Sequence, residues 1–349
     1  MKKNGIILLI SVCILNLISC SFNNLGEATK TVNKLGDNLY YMELSGDDGF
    51  EGFLAQGGAA NADELAEYLN KFLGKGPFAR SVTVNPIETA CSTYIAPDGE
   101  GGFTVGRNFD WETCTALILK NTPDSGYASI STCNLDFLGF GEDFAPKGMV
   151  NSIKALAGIY VPLDGINEAG LVVADLMTGD DEVTNQDSGK ADLTITSAIR
   201  LLLNKAASVE EAVDLLGQYD IHSDINKGHH LFIADKTGKS IAVEWVKNKM
   251  YVVEAPALTN HYLCEEKKNV GSPGSVDRFN KIVGIVREKG NIDVEAGKNL
   301  MHDVGVDMTA SSDGEGTHWS IVYSLNKSAF AETFYWRYNY DEEFSFQIK

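Results

Sequence analysis

The chain has 349 residues, a formal net charge of -19, 44% hydrophobic residues and 9% aromatic ones. That composition supports the packed core of one large domain or two small ones and argues against wholesale disorder. It also argues against a nucleic-acid partner, because no basic stripe is present to face a phosphate backbone.

The N-terminus carries the first signal. Lys2 and Lys3 precede a nearly unbroken apolar run from Ile6 to Ile18, too short to span a bilayer comfortably as a lone helix. The run ends Leu17-Ile18-Ser19-Cys20, which resembles a bacterial lipobox, in which the cysteine is lipidated and becomes the first residue of the exported protein. An ordinary signal peptide with an incidental cysteine is the competing reading. Residues 1–19 are expected to be a lipoprotein signal peptide, Cys20 the lipidation site, and 20–37 a polar, flexible tether. The protein is then expected outside the cytoplasm, anchored by lipid to a bacterial membrane at the cell surface or in the periplasm. No other stretch is apolar enough for a transmembrane helix. Six cysteines are present. Without Cys13 and Cys20, the remaining Cys91, Cys114, Cys133 and Cys264 form neither a disulfide framework nor zinc-ligand spacing. One disulfide among Cys114, Cys133 and Cys264 suits an oxidising compartment.

Leu39 to Leu44 reads as a strand. Asn61 caps a helix, with Glu64 three residues on and Leu65, Tyr68, Leu69 and Phe72 on one apolar face. These elements belong to an expected pro-segment over 38–90. From Cys91 the pattern turns to β, with strands over 91–96 and 102–109 joined by the turn Pro97-Asp98-Gly99. Further strands are predicted at 114–119, 128–133, 159–163 and 170–176. An amphipathic helix covers 193–205, and Ser208 caps another. Strands at 230–235, 240–245 and 249–254 follow, then a helix over 275–288. A hairpin of 318–325 with 331–337 closes the chain. The order predicts an α+β fold of layered, largely antiparallel sheets.

The GxSxG elbow, HExxH, P-loop, EF-hand and GxGxxG motifs are absent, so neither a cofactor nor a metal is expected. His229 and His230 open a strand, where neighbours point to opposite faces, and read as structural or surface residues. The informative stretch is Ala90-Cys91-Ser92-Thr93 followed by Gly106-Arg107-Asn108-Phe109-Asp110-Trp111. A hairpin of that length brings Arg107 and Asp110 back beside Cys91. An arginine near a thiol favours the thiolate, and an aspartate near an α-amino group orients it.

These residues resemble the choloylglycine hydrolases and penicillin V acylases, cysteine members of the N-terminal nucleophile (Ntn) hydrolases. Acid ceramidases and N-acylethanolamine acid amidases look like more distant relatives. The resemblance runs from Cys91 nearly to the C-terminus. It rests on Cys91, on 106–111, on Asp164-Gly165-Ile166-Asn167-Glu168-Ala169-Gly170-Leu171, on Ile233 to Gly238 with Val243-Glu244-Trp245, on Leu258-Thr259-Asn260, and on Ser275-Val276-Asp277-Arg278-Phe279. It implies a four-layer αββα sandwich of two antiparallel sheets over 91–349, preceded by the pro-segment. Two departures stand out. Met177 occupies the position where the family often has an oxyanion asparagine, leaving only a backbone N–H there. About seventy residues separate Cys20 from Cys91, an arrangement similar to the proenzymes among the relatives.

The resemblance implies hydrolysis of a linear amide in an N-acyl compound such as a conjugated bile salt, penicillin V or an N-acyl amino acid. Cys91 is the implied nucleophile, exposed by self-cleavage between Ala90 and Cys91, and its new α-amine the implied base. Asp110 would position that amine, Arg107 and Arg278 would favour the thiolate, and Asn260 would donate to the oxyanion. Plainer roles compete: Arg107–Asp110 as an ion pair, Asn260 as a turn residue, Arg278 as a surface charge, and Asn167 as a structural turn. The expected partners are the small-molecule amide and the membrane through the lipid, with homo-oligomerisation left open. Two other readings remain: a ligand-binding surface lipoprotein without turnover, favoured by Met177, and a papain-like Cys–His peptidase.

Overall fold

The computed structural model describes residues 24–73, 91–139, 144–223, 225, 227–310, 316–326, 329–340 and 342–348. The signal peptide, Cys20, the 74–90 segment and Ala90 lie outside these residues.

Two sheets dominate the chain. The first has nine strands in the order β1-β2-β5-β6-β7-β8-β11-β12-β13. These are Asn33–Gly36, Leu39–Gly46, Ala116–Pro123, Ser129–Asn134, Asp164–Asn167, Leu171–Met177, His229–Asp235, Ser240–Val246 and Lys249–Glu254. Every pairing in it is antiparallel except β2 with β5. The second sheet has six strands, β14-β3-β4-β15-β16-β17. They are Ala257–Leu258, Ser92–Pro97, Phe103–Trp111, Gly316–Asn326, Ala329–Trp336 and Glu342–Gln347, all antiparallel. A short parallel pair, β9 (Ala191–Thr194) with β10 (Tyr219–His222), stands apart.

Strand alternation turns this order into layers. Val172, Ala174, Phe232 and Ala234 of the first sheet meet Val105, Phe109, Trp319 and Ile321 of the second in the central core. The opposite face of the first sheet, through Val173, Leu231 and Ile233, buries Ile199 and Leu202 of the helix Ile195–Lys205 and Val209 and Ala212 of the helix Val209–Leu216. The far face of the second sheet places Tyr94 and Ala96 on Ile282 of the helix Ser275–Lys289 and on Leu300, Met301 and Val304 of the helix Val294–Val304. The result is the α+β, helix–sheet–sheet–helix arrangement expected.

Local chemistry explains the agreements. Asn61 caps the helix Ala62–Phe72 by accepting from the Glu64 N–H, while Glu64 reaches back to the Ala60 N–H. Asp98 accepts from the N–H groups of Glu100 and Gly102, and Gly99 takes φ +86°, so the β3–β4 turn closes tightly.

Two segments differ from expectation. The strand expected at 159–163 is instead the 3-10 turn Leu156–Tyr160, buried throughout, and the strand begins later at Asp164. A Cβ on Gly158 would stand 2.6 Å from Cys133 Sγ, so the turn packs against the sheet rather than joining it. The polar 20–37 stretch is not a loose tether over its described part: Leu25 and Ala28 are buried, and Asn33–Gly36 forms β1. The disulfide that the sequence leaves open is not formed among the described residues, where Cys91, Cys114, Cys133 and Cys264 are all free and buried. Among the described residues, no helix is long and apolar enough to cross a membrane.

Candidate active site

The β3–β4 register sets the site. Ser92 lies opposite Asn108 and Thr93 opposite Arg107, so Cys91, just before β3, faces the end of β4 where Asp110 lies. The Cys91 sulfur accepts from the Arg107 guanidinium and from the Asp110 backbone N–H. Cys91 is buried, and burial pushes its thiol up, against the pull of the Arg107 charge. Burial works to lower Arg107, but the neighbouring Cys91 and Asp164 outweigh it and hold the guanidinium charged.

Arg107 is held on every side. Its Nε donates to Asp164 Oδ2 at 3.3 Å, Nη2 to the Asp175 carbonyl at 2.8 Å, and Nη1 to the Asn108 carbonyl. Asp164 in turn accepts from Trp319 Nε1 at 3.0 Å and the Tyr323 hydroxyl at 3.2 Å. Burial pushes the Asp164 carboxyl up, and these donors with Arg107 oppose it.

Asp110 is buried as well. Thr317 donates to its Oδ1 at 2.5 Å, whereas Oδ2 has no hydrogen-bond partner among the described residues. A register shift between Thr317 and Trp319, opposite Asp110 and Phe109, accompanies these contacts: Thr317 reaches Asp110 and Trp319 reaches Asp164. Burial raises the Asp110 carboxyl; the Thr317 hydroxyl, Arg278 and Arg107 resist it.

Asn260 and Arg278 complete the group. Arg278 lies in the first turn of its helix. Its Nε donates to Ser92 Oγ at 3.1 Å, and its Nη2 to Asn260 Oδ1 at 2.7 Å and the Cys91 carbonyl at 3.5 Å. Burial lowers Arg278, while Asp110 and Cys91 favour its charged form. The Asn260 amide is fixed at both ends, since its Nδ2 donates to the Met177 carbonyl at 2.8 Å. Gly271 lets the chain pack against the Asn260 backbone, because a Cβ there would stand 2.1 Å from the Asn260 backbone carbonyl.

Met177 points its backbone at the same place. Asp175 N–H bonds the Leu163 carbonyl on one side of β8, and Thr178 N–H bonds the Gly228 carbonyl on the other. By alternation the Met177 N–H and C=O share the Asp175 side, toward Asn260. The Met177 side chain supplies no donor and instead lines a pocket beside the Cys91 sulfur. Phe109, Trp111, Phe137, Leu163 and Ile225 give that pocket its other apolar walls, and Cys91, Arg107, Asp175, Thr196 and His229 its polar ones.

The five side chains singled out in the sequence therefore form one connected group: Arg107 and Asp110 lie beside the Cys91 sulfur, and Arg278 joins the Cys91 carbonyl to Asn260. Asn167 is structural: its Nδ2 donates to the Leu203 and Ala206 carbonyls, and its Oδ1 accepts from Ala169 and Leu171. Sequence reasoning missed Asp164, Asp175, Thr317 and His229. His229, expected to be structural or on the surface, is buried, lines the pocket, and places Nδ1 3.0 Å from both Asp175 carboxylate oxygens. Its partner lies on another strand, 54 residues away, and only strand pairing brings the two together.

The structure is similar to that of a variant of conjugated bile acid hydrolase from Clostridium perfringens, with a TM-score of 0.55 and 18% identity, covering 74% of this chain and 92% of that one. It is also similar to penicillin V acylase from Agrobacterium tumefaciens, with a TM-score of 0.51 and 18% identity, covering 70% and 83%. These likenesses establish the Ntn-hydrolase fold. No curated protein sequence matches the chain. Residues 91–261, which contain Cys91, Arg107, Asp110 and Asn260, match the model of the linear amide C-N hydrolases, choloylglycine hydrolase family.

Proposed function

We propose that this protein hydrolyses the linear amide bond of an N-acyl compound, with Cys91 as nucleophile after the Ala90–Cys91 bond is cut. The Asp110 carboxylate carries the reading. It is buried beside the Cys91 sulfur, with one oxygen satisfied by Thr317 and the other unpartnered among the described residues. A buried carboxylate oxygen without a donor is costly, and the α-ammonium of a freed Cys91 is the donor that suits it.

Maturation and turnover then share one nucleophile. In the uncut chain, Cys91 Sγ attacks the Ala90 carbonyl carbon, and the acyl group shifts from nitrogen to sulfur. Water hydrolyses the thioester, leaving the Ala90 carboxylate, the Cys91 thiol and a free amine. In turnover that amine takes the thiol proton, and the thiolate attacks the substrate carbonyl. The second N–H of Asn260 Nδ2 and the Met177 backbone N–H receive the oxyanion, a contribution of about 3 kcal/mol per donor. The ammonium protonates the leaving amine, and water releases the acid from the acyl-thioester. Bile-salt, penicillin V and N-acyl amino acid substrates are the classes this reading covers. Export and lipidation at Cys20 fit the Lys2-Lys3, Ile6–Ile18 and Leu17-Ile18-Ser19-Cys20 pattern.

The test is intact-mass analysis of the processed protein during turnover of an N-acyl amide panel. An acyl adduct on Cys91, with product formation abolished by Cys91→Ala, is expected. A second reading, a lipoprotein that binds such compounds without turnover, is favoured by the missing side-chain donor at Met177. Binding with neither adduct nor product would establish it instead.

A further inference from the structure

Thr317 makes two contacts of opposite kind. Its hydroxyl accepts from the Val306 N–H at 2.8 Å and donates to Asp110 Oδ1 at 2.5 Å. A hydroxyl has one proton, and with Val306 supplying the donor on one side, that proton is committed to the carboxylate on the other. The Thr317 backbone is held at the same place, since its N–H donates to the Val306 carbonyl at 3.0 Å. Val306 follows the helix Val294–Val304, which is tied to β4 two residues before Asp110, where Asn108 Nδ2 donates to the Met301 carbonyl at 2.7 Å. Strand register completes the arrangement. Thr317 lies opposite Asp110, and His318 is the extra residue before Trp319 pairs with Phe109. The bulge sets Thr317 on the Asp110 side of the sheet and leaves Trp319 in the core, stacked on Phe109 with ring centroids 4.0 Å apart.

We propose that Thr317 is a positioning residue for the amide hydrolysis, its hydroxyl holding Asp110 as a carboxylate and leaving Oδ2 to face the Cys91 α-amine. The inference rests on the amide-hydrolase reading above. The charged and titratable groups around Asp110 are Arg107 on its own strand, Cys91 ahead of β3, Arg278 on the helix Ser275–Lys289 and Tyr340 after β16. The Tyr340 hydroxyl donates to Ser320 Oγ at 2.9 Å, and Arg278 donates to Ser92, Asn260 and the Cys91 carbonyl. Thr317 is the side-chain donor to the Asp110 carboxylate among the described residues. A buried carboxylate without a donor takes a proton, and one that accepts a hydrogen bond in its ionised form resists it. A protonated Asp110 could not pair with the ammonium that forms when the Cys91 amine takes the thiol proton.

The experiment reads the Asp110 protonation state and the hydrolysis rate separately. In the uncut Cys91→Ala chain, the Asp110 carboxyl band is titrated by infrared spectroscopy, with the further change Asp110→Asn identifying the band. Adding Thr317→Val is expected to raise the midpoint by about one to two pH units, the weight of one hydrogen bond to a charged group. In the processed enzyme, turnover of an N-acyl amide is followed against pH. Thr317→Val is expected to lose about tenfold in kcat near neutral pH, with KM little changed. The deficit should shrink as pH rises, because a carboxyl that has lost its donor ionises only at higher pH. Thr317→Ser keeps the hydroxyl and is expected to stay close to wild type at every pH. A Thr317→Val deficit equal at every pH, as displacement of the strand alone would give, overturns the inference, and so does an unchanged infrared midpoint. If Thr317→Val does not fold, Thr317→Cys, a weaker donor, is read in its place and must move the midpoint the same way. If the variant folds but is not cut, the infrared midpoint decides alone. If wild type cleaves no amide and the midpoint still moves, the hold of Thr317 on Asp110 stands and the hydrolase reading fails.

Discussion

Arg107 keeps its charge in the interior because its surroundings are built for it. It is 1% exposed and meets Asp164, two backbone carbonyls and the Cys91 sulfur. Removing one partner of such a pair leaves a buried charge without compensation. Asp164→Leu is therefore expected to lower stability by about 3–5 kcal/mol, since it also strands the Trp319 N–H and the Tyr323 hydroxyl. Urea unfolding monitored by tryptophan fluorescence checks this, and a loss under 1 kcal/mol would mean that Arg107 does not depend on Asp164. Cys91 gives the pH dependence. Its thiol lies above the ordinary range because burial disfavours the thiolate. Before the cut its nitrogen is an amide and not a base, so the first step draws on whatever thiolate exists. Self-cleavage should therefore speed up from neutral to alkaline pH, by at most about tenfold per unit, until the thiol is ionised. A rate that falls across that range would contradict the assignment.

At the scale of elements, the N-terminal segment is part of the architecture. β2 lies between β1 and β5 and pairs with β5 over eight residues, from Leu39–Ala116 to Gly46–Pro123. Asn121 Nδ2 donates to Asp48 Oδ2 at 2.7 Å, and the Tyr160 hydroxyl to the Asp48 carbonyl at 2.8 Å. Phe50 and Phe53 are fully buried against Tyr160. After a cut at Ala90–Cys91 the smaller fragment is expected to remain bound, co-eluting with the 91–349 fragment on gel filtration. Phe53→Ala should lower stability by about 3–5 kcal/mol. Release of the small fragment under native conditions would contradict this view.

The same elements show what the sequence made legible. The Asn61 cap, the Asp98 turn and the alternating strands around Cys91 announce themselves, because each is fixed by residues within a few positions of one another. Arg107, Asp110, Asn260 and Arg278 were found through ordered motifs that lie far apart in the chain. Partnerships without a motif were not legible. His229 and Asp175, or Thr317 and Asp110, meet only through strand register, and the bulge at Thr317–Trp319 has no local signature. The helix Val294–Val304 was missed because Gly297 weakens its helical pattern. The reason for that glycine is tertiary, since a Cβ there would meet the Tyr94 hydroxyl at 2.3 Å. The apolar run around Ile159 and Tyr160 reads equally well as strand or turn, and packing on Cys133 decides for the turn.

For the molecule as a whole, four layers serve one point. The central core sets the two sheets face to face, and the helices close both outer faces. Cys91 enters from β3, Arg107 and Asp110 from β4, Met177 from β8, Asn260 from the loop after β14, and Arg278 from the helix that covers the second sheet. The Asp110 carboxylate waits there with one oxygen unpartnered among the described residues. On the proposed function, the chain supplies that partner by cutting itself before Cys91. Intact masses of residues 21–349, wild type and Cys91→Ala, purified under reducing conditions, test it most directly. Two fragments meeting between Ala90 and Cys91 in wild type, with the Cys91→Ala chain whole, are predicted. Both chains remaining whole, or both cut at the same bond, would contradict self-processing by Cys91.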